Sequence, residues 1–529
     1  MPGVRRLALD YAYDFGAVAP FFSGDPSDRS AWSAQIARTQ AHARRPGELT
    51  AVLRAQQQHR GAPPAAVASA ERLADPRTVA IVTGQQAGLF GGPLYTLLKA
   101  ITALKLAQQV SRDHGVDAVA VFWIEAEDHD WDEVRSCTVL DESLTPRTIA
   151  LPTRSADPVP VATIQFDDSL ERAIAELESV LPPTEFRQSV IDDLRDSYAS
   201  GRGVADAFGR WLERTLGDRG LVVYDASDPA SKPLASPVFT HELSTSGRTA
   251  SLAASAGSDL VGRGYHSQVQ SHDEGPALFR LDGGRRAIRR QNGQFVIGDD
   301  NYATATLVQE ATDRPASFSP NVLLRPIVQD TIFPTVCYVA GPNELAYLGQ
   351  LRGVYEHFGV PMPIMYPRAT ATLVDSAAIR FLTKYELPLD ALQPQDEAAL
   401  NTLLAAQIPA AIDDAFQNLD RSIDEGVARL AAALTTLDPT LEGAARSTLS
   451  RMQHDVQTLR GKMIQAAKRR DETLRRQFMR VRALAFPGGH AQERTVGFVW
   501  FLNQYGPALV DRLYDELPAE LGRHWVIAI

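Results

Sequence analysis

Residues 78–110 read TVAIVTGQQAGLFGGPLYTLLKAITALKLAQQV, and residues 117–134 read DAVAVFWIEAEDHDWDEV. The first stretch is a short β-branched run, a Gly-rich bend and a long segment of helical periodicity. The second opens on an apolar run, Ala118 to Ile124, of the kind a strand shows when helices cover both its faces. Two such strands separated by one helix predict a right-handed parallel βαβ unit. The same form recurs at GLVVYDASD (220–228), at TIFPTVCYVAGPNELAYLGQ (331–350) and at VPMPIMYPRAT (360–370), so the expected fold class is α/β with a parallel sheet.

Outward from these segments the texture changes. The first 75 residues are polar and broken, a helical lead-in that wraps the core. Residues of about 141–215 and 245–320 interrupt the α/β pattern and are expected to be insertions at the sheet's ligand edge, within a discontinuous core of residues 1–375. After about Asp375 Gly and Pro thin out. Ile412, Phe416, Leu419, Ile423, Val427, Leu430 and Leu434 recur at steps of three or four, LDPTLEG interrupts, and Leu449, Met452, Val456, Leu459 and Met463 resume the pattern. An antiparallel helical hairpin follows for residues 376–485, either a bundle within one chain or a coiled coil that pairs with a second copy. Residues 486–529 are amphipathic and are expected to fold back on the core.

The whole chain has 529 residues, 53 Lys and Arg against 64 Asp and Glu, and a formal charge of -11. An acidic chain of this size implies several packed units and argues against a nucleic-acid partner. Two cysteines, Cys137 and Cys337, exclude a disulfide framework and a thiolate metal cage, and a cytoplasmic setting is expected. The N-terminal stretch has no signal-peptide h-region, and no window approaches the roughly 20 apolar residues of a membrane span.

Candidate functional residues cluster at the predicted strand ends. Thr83, Gly84, Gln85, Gln86 and Gly88 fill the first strand-to-helix turn, with Tyr95 and Lys99 on the helix behind it. Glycines there let a backbone approach an anion at a helix N-terminus, or serve only a tight turn and close helix packing. The turn matches neither G-x-G-x-x-G nor the phosphate loop. Glu125, Glu127, Asp128, His129, Asp130, Asp132 and Glu133 crowd the second strand end. His129 between Asp128 and Asp130 suits a general base, and the cluster equally suits a divalent cation or a solvated acidic loop. Zinc spacing is absent, and no metal site is assigned. His266 lies in a Gly-flanked loop. Arg325 and Arg368 are candidates for an acidic substrate, with an ordinary salt bridge as the competing reading. Asp330, Asn343 and Glu344 complete the set at neighbouring element ends. Neither cysteine has a catalytic setting.

Six segments, TGQQAGLFGGPLYTLLKAITALKLA, VFWIEAEDHDWDEV, GYHSQV, LLRPIVQDTIFPTVCYVAGPNELAYLGQL, VYEHFGVPMPIMYPRATATLV and QERTVGFVWFLNQYGP, together resemble the bacillithiol biosynthesis cysteine-adding enzymes, a cysteine ligase family. The resemblance runs in order from about residue 80 to the end, while the first 70 residues and both insertions are only loosely similar. It implies a Rossmann-like core with two connecting insertions and a coiled coil that forms a homodimer. It also implies the reaction, joining the carboxyl of L-cysteine to the amino group of glucosaminyl malate in the last step of bacillithiol synthesis. Catalytic residues and cofactor do not come with it. Chemistry alone adds that the carboxylate needs activating, for which ATP with Mg²⁺ is the obvious agent, with Asp128 or Asp132 placing the ion. Rival readings are a nucleotidyl transferase acting on another acid, a non-enzymatic ligand-binding coiled-coil dimer, and a metal hydrolase.

Overall fold

The computed structural model describes residues 5–154, 159–269, 275–407, 410–438, 440–470 and 472–529. The first four residues, parts of both insertions, and Pro439 of the LDPTLEG turn lie outside them, as does the side chain of Arg470, where the helical repeat lacks an apolar residue. The chain divides into two compact units, residues 1–373 with 492–527 and 529, and residues 374–491 with 528.

Five strands form the sheet at the centre of the first unit: β1 (Val79–Gln86), β2 (Ala118–Glu125), β3 (Val222–Asp225), β4 (Thr335–Ala340) and β5 (Ile364–Pro367). Their spatial order is β5-β4-β1-β2-β3 and every neighbouring pair is parallel. Read from the other edge this is 3-2-1-4-5, the Rossmann-like arrangement, with its topological switch between β1 and β4. Burial explains the composition: Val79 to Val82, Val119 to Ile124 and Val336 to Ala340 are all buried, because helices cover both faces. Helix α1 (Leu94–His114) follows β1, starts after Pro93 and stops at Gly115, which takes the left-handed conformation that ends helices.

The N-terminal helices are part of this core. Leu7, Tyr11, Leu49 and Leu53 are buried, and Arg60 makes a bidentate ion pair, 2.9 Å at each arm, with Glu213 of α2 (Val204–Leu216). The first insertion is a β-hairpin (Ser136–Leu140 with Pro146–Ala150) and two helices; the second carries helix Arg248–Gly262 and short antiparallel strands. The C-terminal segment returns to the core, where Phe498 stacks on Trp211 at 6.0 Å and Trp500 donates to the Leu140 carbonyl.

His524 is held between Thr370 and Thr372 at 3.0 and 2.8 Å, and burial pushes its pKa down to about 4. A histidine that stays neutral when folded stabilises the fold above its unfolded value of about 6.5, and that stability is lost as pH falls towards 4. Urea titrations between pH 7 and 4.5 are expected to show the wild type losing about 1 kcal/mol more per pH unit than His524→Gln. Equal slopes would remove this account.

Helix α3 (Arg325–Ile332) belongs to the core; in the second unit, helices α4 (Ala410–Leu437) and α5 (Leu441–Arg470) pack along their length. Gln453 reaches Asp424 at 2.9 Å and Arg460 pairs with Asp413, so one helix ascends as the other descends. Ile412, Leu419, Leu430, Met452 and Leu459 remain exposed. Among the described residues no helix is long and apolar enough to cross a membrane.

Candidate functional site

The crevice at a topological switch is where open parallel sheets hold ligands, since the strand-to-helix turns on either side diverge there. In this chain Lys99 spans it. Its side chain runs from α1, 2% exposed, to the Gly84 carbonyl at 2.8 Å, Gln85 Oε1 at 3.1 Å and, across the switch, Glu344 Oε1 at 2.6 Å. Burial lowers the Lys99 pKa, and Glu344 opposes that shift. Glu344 Oε2 is buried without a partner and so offers an acceptor in the crevice. Gln85 also donates to the Tyr95 hydroxyl at 3.3 Å.

Charges continue along the β2 end. Glu125 receives the Trp123 indole N–H at 3.4 Å and lies 3.8 Å from Arg325, the first residue of α3. The Arg325 guanidinium lies over the Tyr338 ring and donates to Gln329 at 3.1 Å and to the Tyr347 hydroxyl at 3.4 Å. Its partners are mostly neutral, which leaves charge for a ligand carboxylate. Glu127 is buried against Lys232; burial raises the carboxyl's pKa and the ammonium lowers it. Asp128 accepts from Arg285 at 3.0 Å and lies 3.2 Å from His129 Nδ1, while Arg285 stacks over Phe279 at 4.0 Å. Backbone bonds from Val161 to Asp128 and from Ala162 to Ala126 hold this loop against the first insertion.

The structure brings Gln85, Lys99, Tyr95 and Glu344 together by hydrogen bonds, with Arg325 near enough for its charge to act on Lys99, and places Gln86 at the end of β1 and Asn343 in the turn before Glu344. Several expectations need correcting. Thr83 is buried and donates to the Val339 carbonyl at 2.9 Å, a sheet contact. Gly84 is a glycine because a Cβ would lie 2.9 Å from the Trp123 carbonyl. The Gly88 turn does not cradle an anion: the N–H groups of Gly88, Gly91, Gly92 and Leu94 go to Gln86 O, Gly88 O and the Tyr198 hydroxyl, Leu89 O and Val496 O. At Gly91, with φ +93°, a Cβ would overlap the Phe498 ring, so close packing is what the glycine serves.

Arg368 is 3% exposed and spends its fork on Glu493, at 3.0 and 2.7 Å, so the salt-bridge reading holds for it. Asp330 is buried under Tyr355 and Gln329, at 2.5 and 2.9 Å. His266 lies near the N-terminal helix, where burial and then the charge of Arg5 lower its pKa, and its neighbour Tyr265 bonds Asp10. Asp130 caps the short helix Trp131–Val134, so of the two flanking aspartates only Asp128 touches the His129 ring. Asp132 is taken by Arg135 at 2.6 Å. Among the described residues no three His, Cys, Asp or Glu side chains converge to hold a metal ion. Sequence reasoning misses Lys232 and Arg285, because one opens a helix between the insertions and the other lies on a strand inside the second, and neither carries a local signal of reaching the β2 end.

Residues 2–369 match the family description "Bacillithiol biosynthesis BshC, N-terminal Rossmann-like domain", and residues 371–529 match "Bacillithiol biosynthesis BshC, C-terminal coiled-coil domain". The chain belongs to the BshC family. It is 33% identical over 534 residues to a protein of Salinibacter ruber named "Putative cysteine ligase BshC", an alignment covering 99% of this chain and 96% of that protein. Proteins of the same name from Koribacter versatilis and Symbiobacterium thermophilum are 32% and 34% identical, over 97% of this chain and 96% and 95% of theirs. The crevice residues from Gln85 to Glu344 all fall in the N-terminal BshC match.

Proposed function

We propose that this BshC-family chain is a ligase that joins the carboxyl group of L-cysteine to the amino group of glucosaminyl malate at the crevice between β1, β2 and β4. The observation that carries the reading is one edge bearing two kinds of group: cations suited to carboxylates, and a histidine oriented by a carboxylate. Arg325 receives a malate carboxylate. Asp128, itself held by Arg285, accepts the His129 backbone N–H at 2.7 Å and lies 3.2 Å from the ring nitrogen Nδ1, which leaves Nε2 to take the proton of the sugar ammonium. The amine then attacks the cysteine carbonyl carbon, activated beforehand as an acyl phosphate or adenylate by a nucleoside triphosphate co-substrate, and the C–O bond to the phosphoryl oxygen breaks as the C–N bond forms. The names of the relatives support the reaction class. The N–H groups of Gly88, Gly91, Gly92 and Leu94 are taken within the chain, so these four do not offer a phosphate cradle.

The test is product formation, followed by mass spectrometry, from purified protein, L-cysteine and glucosaminyl malate with and without ATP and Mg²⁺. Bacillithiol made only by the active chain supports the reading; a product from another acid, and none from glucosaminyl malate, replaces it with the nucleotidyl-transferase reading. In that assay Arg325→Met is expected to raise the KM for glucosaminyl malate by about 10–100-fold, the worth of one charge-assisted hydrogen bond. An unaltered KM would move the malate away from Arg325.

The exposed seam of Ile412, Leu419, Leu430 and Leu459 on α4 and α5 supports homodimerisation through these helices. Sedimentation is expected to give a dimer, and Leu430→Glu with Leu459→Glu a monomer; a wild-type monomer would end this reading.

A further inference from the structure

A cavity of about 200 Å³ opens beside the crevice, walled by Gln85, Tyr95, Thr96, Glu133, Cys137 and Arg494 among others. It is smaller than the roughly 300–1,000 Å³ of sites for drug-sized ligands, so it suits a free amino acid and not a sugar conjugate or a nucleotide. Gln85 forms the partition, with its carbonyl oxygen on Lys99 and its amide N–H on Tyr95. A molecule in the cavity therefore sits next to one in the crevice.

The lining is incomplete without a ligand. Thr96 is fully buried, and its Oγ1 has no hydrogen-bond partner. A threonine in a helix commonly bonds the carbonyl four residues back, but here the Gly92 carbonyl accepts from Phe498 N at 3.1 Å. Leaving such a hydroxyl unpaired costs about 1–3 kcal/mol, which a bound polar group removes. Arg494 and Glu133 bring opposite charges to the same walls. Arg494 lies over the Tyr95 ring at 5.7 Å, and among the described residues neither side chain has a salt-bridge partner. Burial raises the Tyr95 pKa, Arg494 lowers it and Glu133 raises it, so both charges face this phenol.

The remaining wall is soft. Val134 is buried, and burial pushes the Cys137 thiol up to about 12, so it stays neutral and acts as an apolar surface. Room in front of it depends on Gly497, where a Cβ would overlap Cys137 Sγ.

We propose that this cavity is the amino-acid subsite, holding L-cysteine as a zwitterion with its carboxylate on Arg494, its ammonium on Glu133 and its thiol side chain against Cys137 and Val134. The assignment rests on the ligase reading above and adds where the smaller substrate binds. Thr96 Oγ1 completes its hydrogen bonding on the bound molecule.

Calorimetric titration of the full chain with L-cysteine, under reductant and with glucosaminyl malate present, tests it. Arg494→Gln and Thr96→Val are each expected to weaken L-cysteine at least 10-fold and to leave glucosaminyl malate within about twofold, with the ligand-free thermal midpoint unchanged in Arg494→Gln and raised in Thr96→Val, which loses an unpaired hydroxyl. Wild-type affinity for L-cysteine in either variant, or no L-cysteine binding by the wild type, overturns the subsite; wild-type affinity in Thr96→Val would mean that only water satisfies that hydroxyl. The two readings fail separately. Product formation with an unaltered cysteine KM in Arg494→Gln removes the subsite and spares the ligase, whereas cysteine binding lost in both variants, with no product from the wild type, removes the ligase and spares the subsite.

Discussion

His129→Gln is expected to lower kcat for amide formation by about 10²–10⁴-fold, the usual worth of a positioned general base, with both KM values and the thermal midpoint close to wild type. The separation follows from the surroundings. His129 is half-exposed, its ring contact is Asp128 at 3.2 Å, and Asp128 keeps its Arg285 partner when the ring is gone. Little packing is therefore at stake. Glutamine can still donate to Asp128 but cannot accept the amine proton, so the chemical step alone should suffer. Steady-state kinetics with both substrates varied read this directly. A kcat within threefold of wild type would take the base role from His129 and leave the β2 loop with electrostatic work only.

The second large effect is on stability. Arg368→Gln is expected to destabilise the core by about 3–5 kcal/mol, the cost of leaving a buried charge without its partner. Glu493 is 5% exposed, and Arg368 holds its carboxyl below the usual range against the upward pull of burial. Its other acceptor duties, to the Ala371 amide at 3.1 Å, do not replace a guanidinium. Replacing both partners together, Arg368→Met with Glu493→Leu, should recover much of the loss, because two apolar side chains need no counter-charge. Chemical denaturation of the single and paired variants gives the comparison. A stable Arg368→Gln protein that had lost affinity for glucosaminyl malate would instead return Arg368 to the binding site.

Two arginines that look alike in the sequence thus part company. Arg325 and Arg368 both stand at the ends of elements bordering the same sheet edge, and both were candidates for a carboxylate. The difference lies in what comes to meet them. Glu493 arrives from 125 residues further along the chain to fill the Arg368 fork, whereas Arg325 faces hydroxyl and amide groups and one carboxylate 3.8 Å away. Lys99 and Lys105 share the run LLKAITALKLA, yet Lys99 reaches the strand-to-helix turn while Lys105 donates to the Tyr514 carbonyl. Lys232 and Arg285 could not be placed from local sequence.

Local sequence determined the strands, the helices between them and the long paired helices, because a strand covered on both faces and a helix with one apolar stripe each write their burial into neighbouring residues. It also marked the two loops where the chemistry is proposed. Tertiary structure alone decided which polar groups there are free. The Gly88 turn resembles an anion cradle until Val496 and Tyr198 take its N–H groups. Thr96 resembles an ordinary helical threonine until Phe498 takes the carbonyl it would use. A hydrogen-bonding group is available to a ligand only when no other part of the chain has satisfied it, and Tyr198, Val496 and Phe498 come from more than 100 residues away in the chain.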